Sequence, residues 1–106
     1  MAKVGVIFAQ GFEEVEGLTP VDVLRRAKME CDMIGLKDQT VTGSHAIPVL
    51  MDKVFDGSLS DYDMIVLPGG LPGAHHLRDH EGLIAALQKE ATAGKYIAAI
   101  CAAPVV

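Results

Sequence analysis

The sequence is short of the features that mark several large classes of protein, beginning with cysteine. Its 106 residues include two cysteines, Cys31 and Cys101, and 5% aromatic residues. Two cysteines are too few for a disulfide scaffold, and these two lack the spacing of metal ligands. We therefore expect neither a disulfide framework nor a cysteine-based metal site.

Positive charge and long apolar runs are scarce as well. The chain has 9 lysines and arginines against 14 aspartates and glutamates, which gives a net charge of −5. Because no basic block is available to neutralise phosphates, we expect no nucleic-acid partner. The longest apolar runs fall far short of the roughly 20 residues of a membrane span, and the N-terminus resembles a strand more than a signal peptide. We expect a cytoplasmic protein with no membrane partner.

What the chain does have is many hydrophobic residues in short runs. Half of its residues are hydrophobic and the mean hydropathy is +0.31, which predicts strands buried on both faces. Such strands are predicted at residues 3–8, 31–36, 64–67 and 96–100, and helices at about 13–28, 73–77 and 81–93. Pro20 predicts a kink or a break in the first helix. Two segments remain: a small hairpin on the sheet edge at 40–51, and a polar turn with one helical turn at 56–61.

This order of elements predicts an α/β fold, with a largely parallel sheet and helices on both of its faces. The sequence ends at Val106, five residues after Cys101 and at a point where a helix should begin. We therefore expect residues 1–106 to be the N-terminal part of a single larger domain. The other half would lie further along a longer chain or in a second polypeptide.

Cys101 occupies a segment that is typical of a nucleophile on a sharp strand-to-helix turn. Such a turn needs small residues two positions away on either side, and these are Ala99 and Ala103. Pro104 suits the first turn of a following helix, whose N-terminus would stabilise a thiolate. The alternative is a buried structural cysteine at the end of an apolar strand. Cys31 lacks the small-residue turn, and we interpret it as structural.

Two further features should lie at the same edge of the sheet, because ligands of open α/β sheets bind beyond the carboxyl ends of the strands. Gly69 and Gly70 follow the third strand, and Gly69 is a possible supporting residue of a site there. The two glycines form either a simple turn or one half of an oxyanion hole built from backbone N–H groups, with the amide of Ala102 as the other half.

The glutamates after the first strand are the other feature at this edge. Glu13 and Glu14 are interpreted individually as solvated residues at the start of a helix, with Glu13 in a supporting role. Glu16 lies about one turn beyond Glu13. If one of these carboxyls points at Cys101, two acids would share a proton and titrate as a unit.

The histidines offer no obvious base for Cys101. His76 and His80 have the i, i+4 spacing of a helical metal pair, but no third ligand is placed beside them. We expect no metal ion and no other cofactor.

Four stretches resemble the ThiJ/PfpI family, and they follow one another in that family's order along the whole chain. They are residues 11–16 (GFEEVE), 20–27 (PVDVLRRA), 63–70 (DMIVLPGG) and 98–104 (AAICAAP). The resemblance implies a flavodoxin-like fold and a homodimer. It also implies that Cys101 is the nucleophile and Glu16 its protonated carboxyl partner, with oxyanion-hole amides from Gly70 and Ala102.

The chain departs from the family's pattern in two ways. The histidine that many members use as a partner of the cysteine lies beyond the elbow, where this sequence has no matching residue. Peptidase-like members have histidine after the cysteine, whereas this chain has Ala102. His45 stands at the position where some relatives have an arginine near the oxidised cysteine, which makes it a possible supporting residue.

The functional expectation is a cofactor-free, cysteine-dependent enzyme of the glyoxalase or protein deglycase type. Its substrates would be small reactive carbonyls or glycated thiols and amines, attacked by the Cys101 thiolate. The main alternative is an oxidative-stress sensor or chaperone that uses oxidation of Cys101. A non-catalytic α/β module with an inert cysteine is a third possibility. A cysteine peptidase or amidotransferase-like hydrolase and a thiamine-pathway protein rank lower.

Overall fold

The computed structural model describes residues 2–106, which form a parallel sheet, a small hairpin and three α-helices. In chain order the elements are β1 (Lys3–Phe8), α1 (Glu14–Arg26), β2 (Glu30–Gly35), β3 (Thr40–Thr42), β4 (Pro48–Leu50), β5 (Lys53–Val54), β6 (Met64–Leu67), α2 (Gly73–Asp79), α3 (Glu81–Thr92), β7 (Tyr96–Ala99) and a 3₁₀ turn (Ala103–Val105). The main sheet has the order β5-β2-β1-β6-β7, and every pair of neighbouring strands is parallel. The predicted fold class is confirmed.

Successive residues of β1 point to opposite faces of the sheet, and both faces are covered. Val4, Val6 and Phe8 pack in a cluster with Val21 of α1. Ile7 packs on the other face, in a cluster supplied by α2 and α3. The side chains of β1 are buried from Val4 onward, as the near-continuous apolar run predicts. The sheet is therefore the middle layer of a three-layer structure.

The hairpin forms where it was predicted, but its placement on the edge of the main sheet was wrong. β3 and β4 make a separate antiparallel ribbon. Backbone hydrogen bonds attach this ribbon to the loop after β1, from the Gly11 amide to the Thr42 carbonyl at 2.8 Å and from the Ser44 amide to the Phe12 carbonyl at 2.8 Å. The edge strand beside β2 is instead β5, whose two residues are too few to produce a pattern in the sequence.

Of the kink or break predicted at Pro20, the break is absent, because α1 runs continuously from Glu14 to Arg26. Its packing explains why the helix tolerates proline. A Cβ on Gly17 would lie 2.6 Å from the ring of Phe8, so this turn of the helix rests directly on aromatic side chains of the core. Such tertiary packing outweighs the weak local preference.

One smaller prediction also needs correction. Residues 56–61 form turns without a helical turn, since the carboxylate of Asp56 accepts a hydrogen bond from the Ser58 amide at 3.1 Å and holds the chain in a local turn.

No helix formed by residues 2–106 is long and apolar enough to cross a bilayer.

Candidate active site

The candidate site lies at the carboxyl edge of the sheet, where the strand order changes direction. β1 is flanked by β2 on one side and by β6 on the other, so the loops that follow β1 and β6 border a crevice between them. The Glu13 amide donates to the Gly69 carbonyl at 2.9 Å, and the Gly73 amide donates to the Gly11 carbonyl at 3.2 Å. These bonds fix the two loops against each other.

Cys101 lies on a tight turn directly beyond β7. Its φ of +55° is in the left-handed region, which non-glycine residues rarely adopt, and its side chain is exposed. The Ala103 amide closes the turn by donating to the Ile100 carbonyl at 2.9 Å. Ala103 is fully buried, which explains why this position is small, whereas Ala99 is exposed within residues 2–106.

The helix predicted after Cys101 is a 3₁₀ turn of three residues, Ala103–Val105. Pro104 lies in it, as expected from its fixed φ.

Gly69 is the residue that brings Cys101 and Glu16 together. A Cβ placed on Gly69 would lie within 3.0 Å of both the Glu16 carboxylate oxygen Oε1 and the Cys101 Cβ, and 2.7 Å from the Ile100 carbonyl oxygen. Any side chain would therefore fill the space in which the thiol and the carboxyl meet. The sequence placed Gly69 in a supporting role, and the structure shows the close approach that requires glycine.

The Oε1 atom of Glu16 is buried and has no hydrogen-bond partner in the part of the chain that the structure describes. Burying a polar atom without a partner is costly, so such an atom usually has a function or an additional ligand. Here the unpartnered oxygen faces the backbone of Gly69, beside the cysteine. It is placed to exchange a hydrogen bond with a molecule bound at Cys101.

Backbone amides at this edge are also free to bind. Neither the Gly70 nor the Ala102 amide donates a hydrogen bond to another residue within 2–106. Gly70 has a φ of +94°, and a Cβ there would lie 2.8 Å from the carbonyl carbon of Phe12. Only glycine can adopt this conformation so close to the neighbouring loop. The structure thus leaves both amides of the predicted oxyanion hole unused.

Glu13 lies at the start of the helix as predicted, whereas the prediction that Glu14 is solvated was wrong. Glu13 caps α1, since its carboxylate accepts from the Val15 amide at 2.6 Å. Glu14 is buried, and it accepts hydrogen bonds from the backbone amide of His45 at 2.8 Å and from Nδ1 of His45 at 2.9 Å. The glycine at position 43 leaves room for this carboxylate, because a Cβ there would collide with it. Sequence reasoning missed this pair.

The contact between Glu14 and His45 shifts the pKa of both groups. Burial by itself would raise the pKa of Glu14, but the hydrogen bonds from His45 outweigh it and lower the pKa to about 2. The same hydrogen bond, with the charge of Glu14, raises the pKa of His45. His45 was predicted to support Cys101, and its observed polar partners are instead Glu14 and Ser44.

Within residues 2–106, one group of side chains has its possible ligand atoms close enough for a metal ion. Atoms of Glu13, Glu14 and His45 lie within 4.8 Å of one another. Their oxygens, however, are already committed to the Val15 amide and to His45. His80, one of the two histidines with i, i+4 spacing, uses Nδ1 to accept from the Leu83 amide and so caps α3.

Comparisons with known proteins agree with this architecture. The chain is 39% identical over 101 residues to protein DJ-1 homolog B of Arabidopsis thaliana, covering 93% of this chain and 23% of that protein. It is 38% identical over 102 residues to protein DJ-1alpha of Drosophila melanogaster, covering 93% and 47% of the two chains. The chain therefore spans about half or less of the length of these two relatives.

Solved structures give the same result for the fold. Oxidized DJ-1 of Toxoplasma gondii superposes with a TM-score of 0.92 at 40% identity, covering 98% of this chain and 58% of that one. DJ-1beta of Drosophila melanogaster superposes with a TM-score of 0.91 at 38% identity, covering 98% and 57%. The sequence model of the DJ-1/PfpI family matches residues 2–106. The resemblance in the sequence is thus confirmed, and the chain belongs to the DJ-1/PfpI family.

Proposed function

We propose that this protein is a cofactor-free enzyme that converts small reactive carbonyls to hydroxy acids, with Cys101 as the nucleophile. The observation that carries this proposal is the junction at Gly69, where an exposed cysteine on a strained turn lies beside a buried, unpartnered carboxylate oxygen of Glu16. A nucleophile and a proton-transferring group within reach of each other are the two requirements of this chemistry.

The first step is attack of the Cys101 thiolate on the aldehyde carbon of a substrate such as methylglyoxal. A carbon–sulfur bond forms, and the carbonyl π electrons move to oxygen. The resulting alkoxide lies where the free amides of Gly70 and Ala102 can donate to it. Protonation of that oxygen completes a hemithioacetal.

The second step is an internal redox exchange that needs no external oxidant. The proton on the former aldehyde carbon is removed and returned to the adjacent ketone carbon through an enediol, so the first carbon is oxidised and the second is reduced. Glu16 is the group placed to move this proton, because its free oxygen is beside Cys101. Water then cleaves the thioester, which releases lactate and restores the thiol.

The test is lactate formation from methylglyoxal by the full chain. We expect replacement of Cys101 in Cys101→Ala to lower the rate by at least about a thousandfold, because the covalent step is lost. The matched control is Cys31→Ala, which removes the other thiol and should retain activity wherever the fold is retained. Equal rates in Cys101→Ala and the unaltered protein would refute the proposal.

A second candidate function is oxidation sensing or stress-dependent chaperoning through Cys101. The exposure of this thiol favours it, as does the similarity to a solved DJ-1 that is described as oxidized. Mild peroxide followed by peptide mass mapping tests it. We expect Cys101 to gain two oxygen atoms as a sulfinic acid while Cys31 is unchanged. Oxidation of Cys31 without Cys101 would exclude the sensor role.

We also propose that the protein forms a homodimer, as the family resemblance implies. Val15 at the start of α1, Ile47 in the hairpin loop and Leu50 in β4 are large apolar residues that stay exposed in the monomer. Light scattering of the full chain tests this proposal. A monomer at micromolar concentrations would contradict it.

A further inference from the structure

We draw no further inference here: the strongest candidate, the exposed apolar surface of the edge strand β7 at Tyr96 and Ile97, carries none because nothing in the structure of residues 2–106 shows what covers it.

Discussion

The two cysteines of this chain carry the same group in opposite surroundings. Cys31 lies inside β2, where it is 5% exposed and where burial raises the pKa of its thiol. Cys101 lies just past the end of β7, exposed, with a φ of +55°. A strand in the middle of a covered sheet buries one thiol, whereas a turn beyond β7 exposes the other. Position in the fold, more than residue type, separates the buried cysteine from the exposed one.

The same contrast divides two glutamates that lie two positions apart on α1. Both carboxylate oxygens of Glu14 form hydrogen bonds with His45, so this carboxylate is fully hydrogen-bonded within the fold. Oε1 of Glu16 is buried beside Cys101 without a partner in the described chain. A carboxylate with satisfied oxygens stabilises structure, while one with a free oxygen can still take part in a reaction. The following predictions test these two contrasts.

The largest expected difference is in alkylation of the two thiols. In the native protein, iodoacetamide should modify Cys101 at least about a thousandfold faster than Cys31, because a buried thiol reacts only when the core opens. In guanidinium chloride the two rates should converge. Peptide mass mapping over time measures both. Comparable native rates would show that the fold does not separate the cysteines.

Removing the acid of Glu16 should have the next largest effect. Glu16→Gln keeps the shape of the side chain but not its ability to exchange a proton, so lactate formation should fall about a hundredfold. Folding should be preserved, as judged by thermal unfolding. The matched variant Glu14→Gln alters the neighbouring carboxylate. We expect its main effect to be a loss of thermal stability, with a smaller effect on the rate of lactate formation. If Glu14→Gln impaired turnover more than Glu16→Gln, the roles assigned to them would be reversed.

A methyl group at the Gly69 junction should disturb both activity and stability. Gly69→Ala would push apart the Glu16 carboxylate and Cys101, and overpacking of this kind costs about 1–3 kcal/mol. Turnover should fall about tenfold, the result of a small misplacement. The control is Gly57→Ala, where no atom lies within 4 Å of the added Cβ and the only cost is its φ of +99°. Unchanged turnover in Gly69→Ala would contradict the close approach of Glu16 and Cys101 at Gly69.

The smallest expected effect is a pH dependence of stability from the Glu14–His45 pair. The folded pKa of Glu14 is lowered from 4.5 to about 2, so its contribution is present above pH 4.5 and is lost as the pH falls toward 2. The folded pKa of His45 is raised above 6.5, so its contribution is complete below that value and is lost as the pH rises through the folded pKa. Their joint stabilisation is therefore greatest between about pH 4.5 and 6.5.

Thermal unfolding against pH measures this dependence. His45→Ala should flatten the profile on both sides of that window, while Cys101→Ala should leave its shape unchanged. A profile of His45→Ala with the same shape as that of the unaltered protein would show that the pair does not contribute to stability.

Much of the fold follows from local pattern. Strand β1 and strand β6 are continuous apolar runs that end at turn residues, and their predicted bounds agree with the structure. Gly94 follows the C-cap of α3 with a φ of +77°, the left-handed conformation that glycine commonly adopts after a helix. The pattern failed where elements are short or depend on distant contacts. β5 has two residues, and the placement of the hairpin depends on its bonds to the loop after β1.

The site was partly predictable from the order of the strands. Because parallel strands end at one edge, the sequence indicated that Cys101, Gly69 and Glu16 would be neighbours. It could not reveal that Glu14 is buried, since its partner His45 is 31 positions away and on a separate hairpin. Nor could it separate Glu14 from Glu16, whose difference arises from what each side chain meets after folding.

The most direct test of the account is whether blocking Cys101 alone abolishes carbonyl conversion. In a Cys31→Ser background, the protein is treated with increasing substoichiometric iodoacetamide. The fraction of Cys101 modified is measured by mass spectrometry, and lactate formation is measured on the same samples. Activity should fall linearly with Cys101 modification and reach zero when every Cys101 is blocked. Activity that persists with Cys101 fully modified would contradict it.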